Sequence, residues 1–124
     1  MRAGTAVAVA LVAALGCGQA LADGNELLKQ CQAMIRFIDS DGKEGGGYGP
    51  GYCMGVISGV SSLRGITNPT FPREYQTCLP TPAPPNIQAA RIAVKFMKSY
   101  PEKLNLDDGF LMLMALQQAF PCKK

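Results

Sequence analysis

Phe110-Leu111-Met112-Leu113-Met114-Ala115-Leu116 is an unbroken apolar run near the end of a 124-residue chain. Leu and Met outnumber β-branched residues in it, which favours a helix over the alternative of a buried strand. A helix that is apolar all round is expected to be enclosed by other helices. Its span should be about Leu106 to Phe120, with Asn105 as candidate N-cap and Asp107 and Asp108 complementing its positive end.

Three other helical segments can be read to surround it. About Asn86 to Tyr100, Ile87, Ala90, Val94 and Met97 line one face, Ala93, Phe96 and Tyr100 widen it, and Pro101 stops it. About Asn25 to Ile38, Leu27, Leu28, Cys31, Met34, Ile35 and Ile38 recur at helical spacings. The third covers about Tyr52 to Leu63. There Gly51, Gly55 and Gly59 lie four apart and should leave a groove for a neighbouring helix, beside Val56, Ile57 and Val60.

Two stretches cannot be regular helix. Gly42 to Gly51 holds so many glycines that a flexible surface loop is expected. No strand precedes it and no Gly-Lys-Ser/Thr follows, so it does not read as a phosphate cradle. Residues 64–86 carry Pro69, Pro72, Pro80, Pro82, Pro84 and Pro85, which favours stiff, extended backbone. A long connection kept rigid in a small domain is often functional.

The first 22 residues read as a secretory signal. Arg2 is the positive start, Ala3 to Leu15 the apolar run, and Ala20-Leu21-Ala22 the small residues a signal peptidase accepts before Asp23. The run is too short for a stable membrane span, and no later stretch reaches that length. A minor alternative is lipidation at Cys17, since Leu15-Gly16-Cys17 looks like the end of a lipobox. The expected organisation is therefore a signal peptide at 1–22 and one helical domain at 23–124, exported to a bacterial periplasm.

Cleavage leaves Cys31, Cys53, Cys78 and Cys122. An even count in a small exported chain implies two disulfides. A metal site is disfavoured, because the chain has no His and none of these cysteines is in a C-x-x-C pair. Four cysteines allow three connectivities. In an up-down bundle, Cys78 and Cys122 would lie at the same end and Cys31 would face Cys53, a weak preference for Cys31–Cys53 with Cys78–Cys122. The expected fold class is all-α, a small four-helix bundle-like domain cross-linked by two disulfides.

Net charge is modest, +3 for the whole chain. Arg91, Lys95, Lys98 and Lys103 read as the solvated face of a helix and not as a nucleic-acid site. Without His the usual general base is missing. Asp39/Asp41 and Asp107/Asp108 read as turn and cap residues, and Ser58, Ser61 and Ser62 lack a base partner. No catalytic set, metal or cofactor is expected, and the chain does not read as an enzyme.

The cysteine contexts carry a resemblance. In order they are Cys53-Met54-Gly55 with Gly59, Cys78-Leu79-Pro80, Gln88 and its aliphatic helix, Tyr100-Pro101-Glu102, and Ala115-Leu116 with the closing Ala119-Phe120-Pro121-Cys122. This order resembles the type VI secretion amidase immunity proteins, the Rap/Tai family, from roughly Cys31 to Cys122. The chain departs from that pattern at Val56, where members often carry Tyr, at Ser62, where an acidic residue is common, and at Pro85, where a Thr often caps the helix. The resemblance implies a small periplasmic α-helical protein, often a homodimer, that binds a peptidoglycan-cleaving amidase and blocks its active site. Occlusion needs only a rigid complementary surface. If the chain acts so, the Pro-rich connection is the candidate contact, with Arg64, Arg73 and Tyr75 as its anchors. A stand-alone periplasmic helical binding or stress protein without an effector partner is the alternative.

Overall fold

A computed structural model describes residues 22–123. The expected signal segment up to Leu21, with Cys17, lies outside the described residues. Within them the architecture is four helices: α1 Gly24–Asp39, α2 Gly49–Thr67, α3 Asn86–Ser99 and α4 Asp108–Ala119. Single 3-10 turns occupy Asn68–Thr70, Arg73–Tyr75 and Pro101–Lys103. Two isolated antiparallel bridges, Asp23 with Asp107 and Thr77 with Pro121, complete it.

Helix α1 starts where Asp23 accepts hydrogen bonds from the backbone N–H groups of Asn25 and Glu26 at 3.0 and 3.1 Å. These bonds to the ionised form hold the Asp23 carboxyl below its usual range. Helix α4 is capped in the same way by Asp107, whose Oδ1 accepts from the Phe110 N–H at 3.0 Å. Asn105 is therefore not the cap; it is exposed in the turn before it. The two caps are neighbours, because Asp23 and Asp107 bridge and Gly24 N–H donates to the Leu106 carbonyl at 3.0 Å.

The core takes Leu27, Cys31 and Met34 from α1, Cys53 and Ile57 from α2, Ala89, Ala90, Ala93, Val94 and Met97 from α3, and Leu111, Met112, Ala115 and Leu116 from α4. Each large aliphatic side chain so buried contributes about 2 kcal/mol. The faces predicted for α1 and α3 are the ones that pack, except at Ile38, which is 48% exposed at the end of α1. The disulfides join Cys31 to Cys53 and Cys78 to Cys122, with Cα–Cα distances of 5.0 and 4.9 Å. This is the connectivity that the up-down arrangement favours.

Helix α2 is longer than expected at both ends. Pro50 sits in its first turn, where a missing N–H is harmless, so the helix begins inside the glycine run. It continues past Leu63 to Thr67, so the Pro-rich connection starts only at Asn68. Gly45, at φ +69°, lies against the Ala33 carbonyl, and buried Gly49 lies against Gln30 and Ala33. The run is an exposed surface loop up to Tyr48, with Gly46 and Gly47 facing open space, but Gly45 and Gly49 fit it onto α1 and its last residues, from Gly49, are helical.

The groove expected along Gly51, Gly55 and Gly59 is also corrected. A Cβ built at any of the three meets no atom within 4 Å. That side of α2 looks outward, because Cys53 and Ile57 already turn the opposite side to the core. Helix α4 is likewise not enclosed. One side is buried, while Leu113 and Met114 are half-buried and Phe110 is 50% exposed. Its apolar surplus faces a cleft.

Candidate functional site

The Pro-rich connection is held firmly despite having little regular structure. Asn68 Nδ2 donates to the Thr77 carbonyl at 2.7 Å, and Thr77 N–H donates to Asn68 Oδ1 at 3.1 Å. Gln76 Nε2 donates to the Phe71 carbonyl at 2.9 Å. The far end is fixed to the chain terminus by Cys78 N–H donating to the Phe120 carbonyl at 2.8 Å and by the Cys78–Cys122 bond. Gln117 of α4 reaches the Glu74 carbonyl at 2.9 Å, pinning the turn Arg73–Tyr75 on that helix.

The three anchor residues differ in setting. Tyr75 is 61% exposed and stands free to make contacts. Arg73 is exposed, and its Nε donates to the Lys123 carbonyl at 3.0 Å, so the guanidinium is oriented by the chain terminus. Arg64 lies in the last turn of α2, half-buried, with its Nε out of solvent and unpartnered. Arg73 and Tyr75 share one turn, whereas Arg64 belongs to the helix before it.

The connection, α3 and α4 together enclose an open cleft of about 680 Å³. Phe71 and Tyr75 come from the connection, Phe96 and Tyr100 from α3, and Phe110, Leu113 and Met114 from α4. The Phe96 and Tyr100 rings lie 4.9 Å apart, tilted at 46°. Lys103 Nζ stands 5.7 Å from the centre of the Tyr100 ring, a cation–π distance. Of the aromatic residues gathered here, Tyr75 is expected from sequence as a contact anchor, whereas Phe96, Tyr100 and Phe110 read as helix faces. The clue was the apolar surplus of α4, which exceeds what a four-helix core of this size can cover.

Among the described residues no group of three His, Cys, Asp or Glu could hold a metal. The polar clusters tie helices together. Gln30 Nε2 donates to Glu26 at 2.7 Å and to the Tyr48 hydroxyl at 2.8 Å, and Tyr48 also donates to Glu26. These hydroxyl and amide donors lower the Glu26 carboxyl below its ordinary value. The Tyr52 hydroxyl donates to Asp108, and burial followed by that carboxylate pushes the phenol above its usual 10.0. Arg91 pairs with Asp39 at 2.5 Å, about half exposed on each side, a bond worth about 0.5 kcal/mol.

What the described residues present is a helical surface with a pinned Pro-rich connection beside an open cleft. The sequence model of the Rap1a immunity proteins matches residues 23–122. The chain belongs to the Rap1a immunity family. No curated protein and no solved structure matches it. Rap1a membership makes the chain an immunity protein, with a secreted type VI effector as the implied partner. The family is generally non-catalytic. The positions at which the chain departs from the Rap/Tai pattern fall in two places. Val56 is half-buried and Ser62 exposed on α2, while Pro85 occupies the α3 N-cap position and offers no side-chain cap. No described helix is long and apolar enough to cross a membrane.

Proposed function

We propose that the chain is exported through a signal peptide cleaved after Ala22 and neutralises a type VI peptidoglycan amidase in the periplasm by occluding its active site. The family match over 23–122 carries this reading. It begins at the residue that follows the expected cleavage site, and Asp23 is also the cap of α1. The contact surface is the pinned Pro-rich connection, with Tyr75 and Arg73 on one turn and Arg64 in the last turn of α2 that leads into it. Rigid loops lose little entropy on docking, which suits an inhibitor that works by filling a site.

A homodimer belongs to the same reading. The outward side of α2 supports it: Met54, Leu63 and Ile66 are exposed there, with 72% for Ile66, beside glycines that face open space. Helices with small residues on the contact side pack closely.

The test is inhibition of a panel of purified amidase effectors by the mature chain, with co-purification. Capture and inhibition of one effector, relieved when Arg64, Arg73 and Tyr75 are all replaced by Ala, is the expected result. Unchanged inhibition by that triple variant would dismiss the contact surface. No capture from the panel would favour the stand-alone binding protein.

A further inference from the structure

We propose that the cleft between α3, α4 and the Pro-rich connection is a binding site for a small amphipathic carboxylate: an apolar chain or ring carrying one anionic head. The inference does not rest on the immunity reading. The cleft's size, about 680 Å³, falls within the roughly 300–1,000 Å³ usual for small-molecule sites.

Its lining sorts by chemistry. The apolar body of a ligand would lie on Phe96, Tyr100, Leu113 and Met114, under exposed Phe71 and Phe110. These positions are held by the fold, since Phe96 is 8% exposed on α3 and Gln117 fixes the connection to α4. The site is therefore formed before any ligand arrives, which lowers the ordering cost of binding.

Charge selects the head group. Lys103 is the only ionisable cation in the lining, and no carboxylate shares it. Among the described residues Lys103 has no ion-pair partner; the salt bridge there is Arg91–Asp39. Its ammonium stands over Tyr100 at the apolar wall, where a ligand carboxylate would be partly shielded from water. The Gln118 amide, which also donates to the Tyr100 hydroxyl at 3.4 Å, adds a neutral donor to the same lining. A cationic head would be repelled by Lys103 and would have to compete with it for the face of Tyr100.

Decanoate, decan-1-ol and decyltrimethylammonium share one chain and differ in head charge. Calorimetry and amide chemical-shift mapping on the mature protein, below micellar concentrations, read the binding. Decanoate should saturate one site, shift resonances of α3, α4 and Phe71–Tyr75, and bind about tenfold more tightly than the cation. Lys103→Met should erase that difference, and Phe110→Ala should weaken decanoate about fivefold while leaving the fold intact. Equal binding of anion and cation overturns the proposal, as does unchanged decanoate affinity in Lys103→Met. Shifts at the cleft that follow protein dilution in place of ligand would assign it to a second copy and overturn it too.

Discussion

Asn68 grips both backbone groups of Thr77, donating to its carbonyl at 2.7 Å and accepting from its N–H at 3.1 Å. Thr77 is 1% exposed, so water cannot replace either bond. One side chain thus closes the first half of the Pro-rich connection into a loop. Asn68→Ala should lower unfolding free energy by about 2 kcal/mol. Urea denaturation checks the value, and the Thr77 amide should exchange far faster in native-state hydrogen exchange.

The two disulfides should contribute unequally. Cys31–Cys53 spans 22 residues and Cys78–Cys122 spans 44. Loop-closure entropy gives about 3 kcal/mol for the first and about 4 kcal/mol for the second. Paired Cys→Ser variants measured by denaturation should keep that order. A non-reducing peptide map should return these two linkages and no others.

Glycine substitutions should divide by direction. Gly55→Ala and Gly59→Ala place a methyl in open space within a helix and should each stabilise the monomer by about 0.5–1 kcal/mol. Gly45→Ala has φ +69° and the Ala33 carbonyl against it, and should destabilise by more than about 1 kcal/mol. Thermal melts of the three variants, run dilute, read the signs. Sedimentation of the first two at high concentration reads whether the same methyls weaken self-association.

Stability should fall at high pH through Tyr52. Burial and Asp108 hold its hydroxyl protonated in the folded state above the ordinary 10.0. As pH rises past that value the unfolded chain ionises first, binds fewer protons, and is favoured. The contribution is complete below pH 10 and lost above it. Tyr52→Phe should be less stable at neutral pH by about 1 kcal/mol yet show a flatter alkaline limb in denaturation series. Glu26 works in the opposite sense: its lowered pKa supplies stability above its ordinary 4.5 that is lost on acidification.

Helices α1 and α3 were readable because each buries one stripe and exposes the rest, so periodicity maps directly onto packing. The Asp107 cap was obscured by Asn105, two residues earlier, which has equal capping chemistry. Helix α2 misled for a different reason. Glycine spacing marks where a helix can be approached, not whether anything approaches, and here Cys53 and Ile57 turn the glycines outward. Helix α4 misled by surplus: its composition called for burial on every side, but three neighbours cover only part of it, and the remainder with Tyr75 lines the cleft. Arg73 and Tyr75 could be singled out as loop residues from sequence; their shared turn, and its bond to Gln117, depend on long-range pairing that local pattern does not encode.

The two sulfur bridges divide the chain into covalent circuits. One circuit runs from Cys31 to Cys53 and the other from Cys78 to Cys122, and they share no residue. A protease cut inside either circuit leaves the chain in one piece under oxidising conditions. Between them lies 54–77, which belongs to neither and carries Arg64, Arg73 and Tyr75. A single scission there severs the molecule into two fragments held together without a covalent link, so the stretch that carries all three candidate anchors is also one with no covalent reserve.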